Sequence, residues 1–127
     1  MKSWLFTSSL LLLVLTACRQ ASPHDQQIKT LKTIHSWAAT AEMVGEAWTN
    51  GQIPNQYAQQ TLAKSQAEIA QARNEITDTA ISVQIQQLDK VLAQINSDIQ
   101  QQHQSAIAEP LHQLTQINQQ LDALIKQ

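Results

Sequence analysis

One run constrains this chain more than any other. Ile81, Ile85, Leu88, Leu92, Ile95, Ile99, Gln102 and Ala106 recur at alternating steps of four and three. Such steps return to one face of an α-helix. A strand, whose side chains alternate with a period of two, cannot bury them together. The alternation is that of a coiled-coil seam. It predicts a helix from about Thr79 to Ala108, with Ile85, Leu88, Leu92 and Ile95 buried at its centre.

The segments before it carry the same period. Ile28, Leu31, Ile34, Trp37/Ala38, Ala41, Val44 and Trp48 share one face of a helix from about Pro23 to Asn50. Ser22 caps its start, Pro23 suits its first position, and Asp25 stands where a capping-box acid would. Asn50-Gly51-Gln52-Ile53-Pro54 is the clearest turn, with Gly51 free to take the left-handed conformation that ends a helix. Ala58, Leu62, Ser65, Ile69, Ala72 and Ile76 then mark a narrower stripe, on a helix from about Pro54 to Ile76. Thr77-Asp78-Thr79 supplies the cap for the next.

Pro110 lacks an amide hydrogen and disfavours the helical region for Glu109. The seam slips there too. Continued from Ala106 it would reach Pro110 and Gln113, whereas the apolar residues are Leu111 and Leu114. A break between Ala106 and Leu111 is therefore expected, with a fourth helix from about Glu109 to Lys126. The fold class is all-α, an antiparallel up-down four-helix bundle. The alternative is three long helices, the third kinked at Pro110.

The first residues have another organisation. Lys2 is followed by an apolar run, Trp4 to Leu15, too short for the roughly 20 residues that cross a membrane. Small residues and the chain's one cysteine follow, as Leu15-Thr16-Ala17-Cys18. Residues 1–18 resemble the signal of a bacterial lipoprotein precursor, with Leu15 to Cys18 as the lipobox. The resemblance implies a diacylglycerol on the Cys18 thiol, cleavage before Cys18, and often a further acyl chain such as palmitate on the new amino group. Two or three buried acyl chains make a stable anchor. An ordinary secretory signal with an incidental cysteine is the competing reading. The organisation expected is a signal peptide (1–17), a lipidated tether (18–22) and a helical bundle domain (23–127). In that family an Asp after the cysteine can favour the inner membrane. Arg19 stands here, which points to the outer membrane, facing the periplasm, where the cell has one. In other cells the protein is expected on the outer face of the cell membrane.

Removal of residues 1–17 leaves 110 of the 127 residues, enough for one small core. Seven of the eight basic residues and all ten acids remain, a net charge of −3. Without a basic patch, nucleic acid is not an expected partner. With Cys18 acylated no disulfide can form, so packing alone holds the domain. All 22 glutamines follow the signal, a fifth of the mature chain, and give a weakly charged helical surface.

Chemistry is sparse. His35, Glu42 and Glu46 lie along one flank of the first helix, where a metal or an acid–base pair could use them; a solvated flank is the plainer reading. Glu109-Pro110-Leu111-His112 has the Glu-x-x-His spacing of di-metal bundles, but those need a second such motif and further carboxylates. His24, His35, His103 and His112 form no short metal-binding spacing. Haem-attachment, glycine-rich phosphate and serine-elbow motifs are missing. The chain is therefore read as a non-enzyme with no cofactor and no metal ligand set. Trp37, Trp48 and Tyr57 cluster around the first hairpin, either as core or as a docking face. Trp37 and Trp48 are 11 residues apart, only about 20° apart around a helix. Both are expected to be buried, with Trp48 against Tyr57, Ala58 and Leu62.

Two functions follow from these features. The first is a membrane-anchored envelope lipoprotein acting as a helical binding or structural module, for an envelope protein or for its own copies. The second is a small-ligand or metal-handling carrier, using the bundle interior or the His35, Glu42 and Glu46 flank.

Overall fold

The computed structural model describes residues 22–127. Cys18 and the apolar run before it lie outside the described residues. The remainder forms four helices: α1 (Pro23–Thr49), α2 (Asn55–Arg73), α3 (Thr79–Gln100) and α4 (Ala108–Ile125). Among the described residues there is no strand. Four separate helices replace the three-helix alternative.

Local chemistry sets the ends. Ser22 Oγ accepts from the Asp25 amide at 3.2 Å, and Pro23 opens α1. Asp78 Oδ1 accepts from the Ile81 amide at 3.1 Å and caps α3. At the end of α1 the amide of Gly51 donates to the Trp48 carbonyl and that of Gln52 to Ala47, with Gly51 at φ +72°. That pair of bonds is the Schellman motif. The second helix ends at Arg73, three residues before the expected Ile76, yet Ile76 is still buried.

The end of α3 corrects the expected boundary. The helix stops at Gln100 and not at Ala108, and the break spans residues 101–107. A second Schellman motif closes it: the Gln102 amide donates to the Ile99 carbonyl and the His103 amide to Asp98, at 3.1 and 2.8 Å. Here Gln102 takes the left-handed position, at φ +58°. Gln102 and Ala106, expected in the seam, are exposed, and Ile107 is completely buried in their place. Pro110 does not break a helix. It is the third residue of α4, in the first turn, where a missing amide hydrogen forfeits no intrahelical bond.

A non-glycine residue in the left-handed region costs about 1–2 kcal/mol. Glycine relieves that strain and gives back part of it as extra freedom in the unfolded chain. Gln102→Gly is therefore expected to stabilise the protein by about 0.5–1 kcal/mol. A urea midpoint that falls in this variant would contradict the assignment.

Each helix packs on its sequence neighbours, and α4 returns to pack on α1, closing a four-membered ring. The only diagonal contact among the described residues is between α1 and α3. Ile85, Leu88, Leu92, Ile95 and Ile99 of α3 are fully buried, as the seam predicts, among Ile34, Leu62, Ile69, Leu114 and Leu121. At the α1–α4 seam a Cβ on Gly45 would lie 2.5 Å from Leu111 Cδ2, so glycine lets the two helices approach. Arg73 of α2 is bonded to Asp89 of α3, a polar tie between neighbours. At 1.5 Å per residue the 27-residue α1 is about 40 Å long.

Candidate functional site

The flank of α1 singled out in the sequence is absorbed by the neighbouring helix. Glu42 Oε1 accepts from Asn118 Nδ2 at 3.1 Å, and the same amide group donates to the Ala38 carbonyl at 3.3 Å. Asn118 is buried, and its Oδ1 has no partner within the protein. One turn further along α4 stands Asp122. Its hydrogen bond from Lys126, and behind it the charges of Lys126 and His35, hold its carboxyl below the usual carboxylate range. His35 and Glu42 thus each face α4, while Glu46 is exposed. Among the described residues no three His, Cys, Asp or Glu side chains assemble into a metal-binding group.

Glu109 and His112 lie exposed on the first turns of α4, each bonded to a glutamine four residues on: Gln113 at 3.3 Å and Gln116 at 3.3 Å. Each is occupied by its own helix. Asp98, near the end of α3, is buried. Its Oδ1 accepts from Gln94 Nε2 at 3.0 Å, the His103 ring lies 3.9 Å away, and Oδ2 is unpartnered. The stripe of the fourth helix places Asn118 on its core face beside Ile117, where it is buried, whereas Asp98 gives no spacing signal in the sequence.

The three aromatics divide. Trp48 is 3% exposed and its indole N–H donates to Asn55 Oδ1 across the first turn. Trp37 is half-buried, with the Lys64 ammonium 5.7 Å from its ring centroid. Tyr57 is 54% exposed and therefore is not the core contact expected for Trp48, whereas Ala58 and Leu62 are fully buried. Geometry explains the split. Tyr57 lies about 100° from Ala58 around α2, on the edge that also carries Lys64 and Glu68, beside α1. Met43, on the outer face of α1, is the other strongly exposed large apolar side chain nearby, at 70%.

Two grooves run along the ring of helices. Between α1 and α2 a groove of about 320 Å³ is walled by Gln26, Lys29, Thr30 and Thr33 on one side. Glu68, Gln71, Ala72 and Glu75 form the other. Thr30 ties the two walls: its hydroxyl is bonded to Glu75 Oε2 at 2.9 Å and to the Gln26 carbonyl at 3.1 Å. Between α3 and α4 a groove of about 330 Å³ has Gln87, Lys90, Gln113, Gln116 and Gln120 around Val91 and Ile117. Both are open to the surface, and the first alone has an aromatic residue continuing its line. Among the described residues no helix is long and apolar enough to cross a membrane.

No family model, curated protein or solved structure matches the chain.

Proposed function

We propose that this protein is a lipid-anchored lipoprotein of the bacterial envelope whose helical bundle serves as a binding or structural module. Leu15-Thr16-Ala17-Cys18 carries the reading, because a lone cysteine behind an apolar run and small residues is what lipid attachment requires. The spacing to the bundle supports it. Ser22, the cap of α1, stands four residues after Cys18, so the tether is short and the first turn of α1 would lie close to the membrane. Binding suits the surface better than catalysis does. The titratable groups singled out in the sequence are divided among α1, the loop after α3 and α4, and Glu42, His103, Glu109 and His112 already serve an intramolecular contact.

Lipidation is tested by Cys18→Ala. The variant is expected to accumulate as a precursor without acyl label and to leave the membrane fraction. Unchanged acyl incorporation would remove the basis of the reading. Crosslinking of the wild-type chain in the intact envelope then identifies what it touches. Crosslinks to its own copies mark a self-associating module, and crosslinks to another envelope component mark a docking one.

A further inference from the structure

We propose that the α1–α2 groove is a binding site for a neutral oligosaccharide, with Trp37 and Tyr57 as platforms for sugar faces and the polar walls as partners for hydroxyls. The inference rests on the binding-module reading and names the class of ligand.

Placement comes first. On α2, Tyr57, Lys64, Glu68 and Gln71 follow one another at steps of 7, 4 and 3 and so share one edge, and Glu75 in the turn just past the helix borders the same groove. On α1 the facing edge is Gln26, Thr30, Thr33 and Trp37, at steps of 4, 3 and 4. The Lys64 ammonium over the Trp37 ring fixes the level at which the edges meet. Tyr57 is seven residues from Lys64, about 10 Å along the axis at 1.5 Å per residue. Arg73, the last residue of α2, is nine residues the other way, about 14 Å, with Glu75 just beyond it. The groove is therefore one line, with an exposed phenol at one end, a partly buried indole in the middle and a polar cleft beyond.

Chemistry selects the ligand. The cleft offers both donors and acceptors in hydroxyl, amide, ammonium and carboxylate groups, which matches a polyol able to do both at every hydroxyl. Lys29 and Lys64 balance Glu68 and Glu75, so the line has no net charge to attract a polyanion. An apolar partner helix would bury the carboxylates of Glu68 and Glu75 with only the Lys64 ammonium and the Thr30 hydroxyl to partner them, which is costly. A sugar ring has apolar C–H faces for aromatic rings and hydroxyl edges for the walls. Lys64, with 64% of its side chain exposed and its ammonium 3.5 Å from Glu68, can leave the indole face without losing that pairing.

The test uses the full-length protein in detergent micelles, with the indole N–H resonances followed during titration. The probes are chitotetraose, cellotetraose and maltotetraose at millimolar concentration. At least one is expected to shift the Trp37 resonance while leaving that of Trp48, which is buried and bonded to Asn55. Tyr57→Ala, at an exposed site, is expected to weaken tetraose binding about tenfold and the matching disaccharide far less. Trp37→Ala is expected to weaken both. No Trp37 shift with any tetraose overturns the proposal, as does a tetraose affinity unchanged in Tyr57→Ala. A failed titration beside successful envelope crosslinking would reject the sugar site and keep the binding module. A successful titration with acyl labelling intact in Cys18→Ala would do the reverse for the anchor.

Discussion

Trp48→Ala is expected to lower stability by about 3–5 kcal/mol, the usual cost of truncating a buried aromatic. Trp48 is 3% exposed at the end of α1, where the chain turns through Gly51 toward α2. Two losses combine there. The indole belongs to the same buried core as Ala58 and Leu62, and its loss leaves a cavity there. The Asn55 side chain, second in the turn's polar chemistry, loses the donor that ties it to α1. Trp48→Phe separates the two: it keeps most of the packing and removes the hydrogen bond, for which about 0.5–1.5 kcal/mol is expected. Urea unfolding measures both variants. A cost below about 1 kcal/mol for Trp48→Ala would mean that the first hairpin closes without its indole.

Trp48 and Trp37 also show where sequence reading stops. Their 11-residue spacing places them on one stripe, and that much follows from helix geometry alone. Which of them is sealed depends on α2: Trp48 is buried and bonded to Asn55 at its start, while the long side chain of Lys64 reaches over Trp37. Tyr57 was legible as an aromatic near the turn but not as an exposed one, because a one-residue step around a helix changes its face. The α1–α2 groove was not legible at all. Each of its walls reads as an ordinary polar flank, and only the pairing of two helices makes them one surface. The His35, Glu42 and Glu46 flank is the converse: it reads as a solvated flank, and Asn118 of α4 takes up Glu42.

The α3 seam was legible because repetition over many turns outweighs any single residue. Its end was not. Sequence reading looks for glycine or proline to stop a helix, and here Gln102 adopts the left-handed turn while Pro110 sits harmlessly in the first turn of α4. The residue that gains from this is Ile107, off the extrapolated stripe but fully buried once the loop turns it inward. Gln102 makes the turn without the glycine that favours it, whereas Pro110 obeys the local rule for a helix's first turn.

The seam supplies the second large effect. Leu92→Ala is expected to cost about 2–5 kcal/mol. Leu92 is fully buried in the middle of α3, which packs on α2 and α4 and touches α1 across the diagonal, so relaxation around a cavity is resisted from several sides. Helix propensity cannot supply the cost, since alanine is the better helix former. Val83→Ala is the internal control. It lies on the same helix but is 48% exposed, and a change within about 0.5 kcal/mol is expected there. An m-value unchanged from wild type would show that both variants unfold from the same compact state. If Leu92→Ala cost no more than Val83→Ala, the regular stripe would not be the core of this chain but a surface held for another.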